Sequence, residues 1–333
     1  MKELIKKLTE AYGPSGHEEQ VRALIQEEIA GLADEVQVDA LGNLIALRQG
    51  DGQGRKVMLS AHMDEIGVMV THVDDKGFLR FTRIGGVVPP TLPGNRVLFA
   101  NGTVGVINVE KGIFDAVGKK LPPLEKFYID VGAQDKDSVP VGVGDAAAFL
   151  REMSDLGDRV VAKAMDDRIG CAVLIETMRR LKKTPHQVAF VFSVQEEVGL
   201  RGARTSAFGL DPDVGIAVDV TGTGDCPEDR PMAVSLGKGP AIKVRDSGML
   251  AHPGLKELMI RRAEEAGIPY QLEVLPMGST DAMAIQVTRE GVPAGCLSIP
   301  CRHIHSPSEM VDIRDVENAV RLMVTILENP IVW

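Results

Sequence analysis

Residues 56–64 read KVMLSAHMD. The compact apolar run Lys56–Ala61 predicts a buried strand, and His62 and Asp64 follow at its carboxyl end, two positions apart and able to point the same way. The pattern recurs along the chain. VVAKA at Val160–Ala164 leads through Met165 to Asp166-Asp167, and VAFVFSV at Val188–Val194 leads to Gln195-Glu196-Glu197. GIAV at Gly215–Val218 leads to Asp219, and the last run, Ala294–Ile299, leads to Arg302-His303-Ile304-His305. Helical spacing fills Arg168–Leu181, Gly254–Ala266 and Thr280–Val287, and Asp312 caps a closing helix to about Leu327. Strands alternating with helices predict an α/β fold with a mainly parallel, helix-covered sheet.

Two further regions frame this one. Near the start, Leu4, Ile5 and Leu8 recur at helical spacing, and Ser15 with Glu18 predicts a capping box opening a second helix. Leu41-Gly42-Asn43 predicts a turn between strands near Val36–Val38 and Leu44–Leu47. From about Ile66 to Val161 short Val, Ile and Phe runs are punctuated by Gly85-Gly86, Pro89-Pro90 and Pro93-Gly94, without an amphipathic helix. That stretch predicts a small β-barrel or sandwich, residues 66–161, inserted into an α/β domain of residues 1–65 plus 162–333.

Composition removes several function classes. A net charge of −10 with no basic patch argues against nucleic acid, and 4% aromatics against a stacking platform. No apolar run approaches the ~20 residues that span a bilayer, so no membrane partner is expected. Cys171, Cys226, Cys296 and Cys301 form no C-x-x-C pair, which predicts reduced, mostly buried thiols and no structural zinc. The charged, helical opening MKELIKKLTEAYG completes the expectation of a cytoplasmic protein.

In open α/β sheets ligands gather at the carboxyl ends of strands. Imidazoles and carboxylates delivered there by five strands would repel one another or lack partners unless a cation neutralised them. The N/O donor set suits zinc, cobalt or manganese. A single catalytic zinc needs about three protein ligands, whereas His62, Asp166, Glu197, Asp219 and His305 make five, enough for two divalent ions bridged by one carboxylate and a water. Glu196 is then a carboxylate beside a ligand and free to act as general base. Asp64 is placed to hold the other nitrogen of His62.

AHMDE (61–65), MDDR (165–168), EEVG (196–199), VDVT (218–221) and HIHS (303–306) resemble, in order, the motifs of the M42 family of metallo-aminopeptidases. The resemblance implies a zinc-exopeptidase-like fold and removal of N-terminal residues from peptides with a free N-terminus. It implies two divalent ions per subunit, zinc or cobalt, with Asp166 bridging and Glu196 as base. It also implies that the inserted β segment serves oligomerisation, in homo-oligomers up to dodecamers. Two positions depart from the family pattern. His303 stands where a tyrosine is common, and continuation of the strand would align Cys301, His303 and His305 on one face, making His303 a rim residue or an added ligand. Ser279 stands where glycine is frequent and is expected to cap the next helix. The rival readings are a di-metal carboxypeptidase or N-acyl-amino-acid deacylase, with Arg168, Arg201 or Arg302 holding a substrate carboxylate, and a non-catalytic metal-bound scaffold.

Overall fold

The strand at Lys56–His62 is buried on both faces. Val57, Leu59 and Ala61 join the largest apolar core, whereas Met58 joins a smaller one with Ile45, Val191, Ala207 and Ile285. Burial on two faces explains a near-continuous apolar run where a one-sided strand would alternate. The computed structural model of the chain describes residues 1–110, 123–227 and 231–333, so residues 111–122 of the expected insertion lie outside the described residues.

The α/β part begins with helices α1 (Lys2–Glu10) and α2 (Glu19–Glu28), then strands β1 (Glu35–Val38), β2 (Leu44–Arg48) and β3 (Lys56–His62). A closed barrel follows, made of β4 (Gly67–Val73), β5 (Leu79–Ile84), β6 (Arg96–Phe99), β7 (Val104–Val109), β8 (Phe127–Asp130) and β9 (Ala146–Phe149). Phe81, Phe99, Phe127 and Phe149 fill it as a core of its own. Closure removes the free edges that short antiparallel strands would otherwise expose.

The chain re-enters the large sheet through β10 (Ser154–Asp155) and β11 (Arg159–Ala162), then runs α3 (Met165–Arg180), β12 (Gln187–Ser193), α4 (Arg201–Leu210) and β13 (Val214–Thr221). β14 (Ala241–Arg245), α5 (Pro253–Glu265), β15 (Gln271–Val274), α6 (Asp281–Gln286), β16 (Ala294–Arg302), β17 (Glu309–Asp312) and α7 (Ile313–Leu327) complete it. β12, β3, β13 and β16 are parallel neighbours in that order, as helix-length connections require. Around this parallel centre the sheet is extended by antiparallel pairing, through β2 and β1 on one side and β17, β11 and β10 on the other. The turn at 41–43 allows the first extension, because a tight connection can only join antiparallel strands.

Several local expectations change. α2 has no side-chain cap: Ser15 instead donates its hydroxyl to Asp64 at 2.6 Å, and Glu18 accepts backbone N–H groups from Gly16 and Gln195. Thr280 caps α6, in place of Ser279. β13 runs on to Thr221, so Asp219 lies within the strand. β14 and β17 have too few residues and too many charges to stand out in sequence. Among the described residues no helix is long and apolar enough to cross a membrane.

Candidate metal centre

The parallel register brings the ends of β3, β12, β13 and β16 together. His62 closes β3 opposite Ser193 of β12, and Asp219 projects from β13. Asp166 lies where the chain turns from β11 into α3, with non-helical angles (φ −76°, ψ 104°) that keep its side chain out of the helix repeat. His305 follows β16 in a left-handed conformation (φ 60°). Glu196 and Glu197 follow β12 just after Gln195, itself left-handed (φ 56°). Positive φ is costly for residues with a Cβ and recurs where surroundings hold a functional turn in place.

The side chains converge in two groups that share one member. His62, Asp166 and Asp219 offer donor atoms within 4.8 Å of one another, and so do Asp166, Glu197 and His305. His62 Nε2 is 3.0 Å from Asp166 Oδ1, and His305 Nε2 is 3.2 Å from Asp166 Oδ2 and 3.3 Å from Glu197 Oε1. One ring nitrogen thus faces two carboxylates, and it can donate to only one of them well. Among the described residues, buried Glu197 Oε1 finds no hydrogen-bond partner.

The electrostatics describe the same crowding. Burial first, then repulsion from Asp166, raises Asp219 well above the ordinary carboxylate range. Burial likewise raises Glu197, and it raises Glu196 further, with Asp219 and Glu197 adding to the effect. Burial opposes ionisation of Asp166 too, but hydrogen bonds from His305 and His62 outweigh it and hold that carboxyl low. Burial disfavours the charged His305 ring, yet Asp166 and Glu197 outweigh it and push the group up to about 12. A cluster of three carboxylates and two imidazoles with an orphaned oxygen fits divalent cations bound through N and O donors.

Behind the donors lies a supporting layer. Asp64 Oδ1 accepts the Glu196 N–H at 2.9 Å, and Oδ2 accepts the Glu197 N–H at 3.2 Å and the Ser15 hydroxyl at 2.6 Å. Asp64 also faces His62 Nδ1, which lies 3.1 Å from its backbone carbonyl and 3.4 Å from Oδ1. Glu309, 2% exposed on β17, accepts the Asp166 N–H at 3.0 Å and the His305 N–H at 2.8 Å. From the barrel, Gly86 reaches the site so closely that a Cβ there would stand 2.3 Å from His305 Nδ1. No spacing rule links Ser15, Glu309 and Gly86 to the donors, so the sequence does not announce their place beside them. Only the local pair Gly85-Gly86 stands out in the sequence, and there it reads as punctuation between short apolar runs.

Asp166, Glu197, Asp219 and His305 open onto a cavity of about 340 Å³, whose other walls include Leu200, Thr221, Lys243, Leu275, Ser279 and Ile304. Glu196 lines it and belongs to neither donor group, although its Oε2 lies 3.8 Å from His62 Nε2. His303 is exposed and joins neither group, because β16 ends at Arg302 and the alternation stops there. Cys301 is buried in the main core. The arginines weighed for a substrate carboxylate are engaged elsewhere. Arg168 is fully buried against the carbonyls of Leu8, Gly13 and Met63 and the carboxylate of Glu65. Arg302 pairs with Asp225 at 2.8 Å, and Arg201 bonds Gln195 at 3.1 Å.

Comparison with known proteins agrees with this geometry. Residues 42–322 match the model of the M42 glutamyl aminopeptidase family. The chain is 38% identical to the lysyl aminopeptidase of Pyrococcus furiosus, over 98% of this chain and 96% of that protein. Its structure is similar to that of aminopeptidase APDkam598 from the archaeon Desulfurococcus kamchatkensis, with 44% identity, a TM-score of 0.93, and 98% and 94% of the two chains covered. It is also similar to the TET1 peptidase of Pyrococcus horikoshii, which assembles into a tetrahedron or a large octahedral shell, with 34% identity, a TM-score of 0.88 and 98% of each chain covered. With these N and O donors drawn together beside one cavity and these likenesses running almost end to end, this chain belongs to the M42 glutamyl aminopeptidase family of peptide hydrolases.

Proposed function

We propose that this aminopeptidase removes single residues from peptides with a free N-terminus, using two divalent cations held by His62, Asp166 and Asp219 and by Asp166, Glu197 and His305. Asp166 would be shared by both sites, and zinc or cobalt are the ions that these N and O donors suit. Two such ions supply Lewis acidity and lower the pKa of a water at the site. The observation that carries the reading is Glu196, a cavity-lining carboxylate that belongs to neither donor group.

Burial raises the proton affinity of Glu196, which suits it to take a proton from the attacking water and return it to the departing amine. Asp64 holds the backbone of Glu196 and the ring of His62, fixing base and donor in one frame. On this reading the substrate's free α-amine would pair with the acid groups that line the cavity, a contact that an N-acyl group cannot make.

The chain divides, on this reading, into a catalytic part, residues 1–65 with 162–333, and an inserted part, residues 66–161, that mediates contact between copies. The assemblies of the TET1 peptidase support a homo-oligomer, with a dodecamer as one form. The buried thiols of Cys171, Cys296 and Cys301 support a cytoplasmic setting.

The test is hydrolysis of aminoacyl-p-nitroanilides by chelated and then Zn²⁺- or Co²⁺-reloaded protein. Metal-dependent release from free-amine substrates, absent from their N-acetylated forms, is the expected result. Glu196→Gln should retain both ions and lose about 10²–10⁴-fold in kcat. Near-normal turnover in that variant removes the base assignment.

A further inference from the structure

We infer that Glu309 is a positioning residue that sets the spacing of Asp166 and His305 and thereby controls the affinity of the metal site those two residues share with Glu197. The inference rests on the two-metal reading above.

Asp166 and His305 reach the centre from separate parts of the chain, one at the exit of β11 and one beyond β16. Each of their backbone N–H groups ends on a different oxygen of the same carboxylate, His305 N on Oε1 and Asp166 N on Oε2. A single rigid, planar group therefore fixes the distance between two ligand backbones. Glu309 is itself anchored: it opens β17, where it pairs with Ala162 of β11, so it moves with the strand that delivers Asp166. It is 2% exposed, and burying a carboxylate there is costly unless its oxygens are used.

His305 gives the clamp its consequence. With φ at 60° and a Cβ, its backbone is strained and persists only because the surroundings hold it. The bond from its N–H to Glu309 restrains the main chain, and Gly86 packs against the ring. Releasing the N–H lets the backbone relax and carries the imidazole away from Asp166 and Glu197. His62 and Asp219 sit on β3 and β13, whose ladders do not depend on Glu309. The group containing His62 keeps two ligands on intact strands, whereas the group containing His305 loses the restraint on two of its three.

The test is Co²⁺ titration of apo protein by calorimetry and visible absorption, with melting of each apo protein measured alongside. Wild type should take up two ions. Glu309→Gln, which presents an amide N–H₂ to one of the two backbone donors, should bind one ion within about threefold of wild type and the other about 10–100-fold more weakly. Glu309→Asp, too short to reach both donors, should fall between them and serves if the glutamine variant does not fold. In a His305→Ala background, Glu309→Gln should change the remaining affinity by less than about threefold, because the clamp then has no ring to position. Unchanged affinity for both ions in the single variants overturns the inference, as does equal weakening of both. Fewer than two ions in the wild type would instead overturn the two-metal reading and this inference with it.

Discussion

Asp64 Oδ1 accepts the backbone N–H of Glu196 at 2.9 Å, so the residue behind His62 also supports the proposed base. Asp64→Asn tests how far the two functions are joined. An amide keeps one acceptor oxygen but turns an N–H₂ group toward the N–H of Glu196 or toward the Ser15 hydroxyl and Glu197 N–H. The expected outcome is a fall in kcat and in metal affinity of about 10–100-fold each. Steady-state kinetics and metal analysis of the same preparation check it. Ser15→Ala removes one of the bonds and should produce a smaller loss in the same direction.

Gly86 gives a sharper steric prediction. Its position is exposed, and its φ is not one that only glycine tolerates, but a Cβ would stand 2.3 Å from His305 Nδ1. Gly86→Ala should therefore displace the His305 ring, lower kcat by more than about tenfold as a 1 Å misplacement can, and leave thermal stability nearly unchanged. Gly142→Ala is the control, since none of the described residues comes within 4 Å of a Cβ there. Kinetics and melting curves of the two variants check both halves of the claim.

The donors were legible in sequence because strand ends in α/β sheets are a physical address. His62, Asp166, Glu197, Asp219 and His305 each follow or close an apolar run, and the parallel register of β12, β3, β13 and β16 draws those ends together. What holds the donors was not legible. Ser15 and Glu18 had the spacing of a capping box, yet their side chains serve Asp64 and Gln195, partners distant in sequence. Glu309 sits in a short charged strand whose periodicity says nothing about the backbone groups it meets. Local spacing encodes local partners, so contacts across the fold emerged only with the structure. His186 shows the same limit. It reads as a solvated residue beside a helix, but it is 1% exposed and bonds the Arg55 N–H and the Asn329 carbonyl.

Glu18 predicts a pH dependence. Burial, reinforced by the Asp64 carboxylate, raises it from 4.5 to about 7, even though the N–H groups of Gly16 and Gln195 oppose the shift. Between those values the unfolded chain releases a proton that the folded protein keeps. Stability therefore falls as pH rises from 4.5 to about 7 and is level beyond, a penalty on the order of 3 kcal/mol. Both N–H groups meet one oxygen, Oε1, which a glutamine oxygen can replace. Glu18→Gln should thus gain stability relative to wild type across that interval and hold the gain above pH 7. Denaturant midpoints at pH 5 and pH 8 check it; a difference between the two proteins that does not grow with pH removes the assignment.

Glu65 joins, through charge, the two segments that make up the α/β part of the chain. It follows Asp64 just before the barrel, its carboxylate lies 2.7 and 2.8 Å from Lys163 Nζ, and its Oε1 lies 3.2 Å from Arg168 Nη2. All three residues are at most 3% exposed, so one buried carboxylate balances two buried cations. Burial is the main influence lowering Lys163, and Glu65 opposes it. Removing Glu65 leaves two buried cations without the carboxylate that balances them. Glu65→Gln should destabilise the fold by about 3–5 kcal/mol, the usual consequence of orphaning a buried charge. Adding Lys163→Met should recover part of that loss, since it deletes one orphan without emptying its volume. Equilibrium unfolding of the two variants decides it: a double variant no more stable than the single one would mean that Arg168 alone, and not the excess of positive charge, sets the penalty.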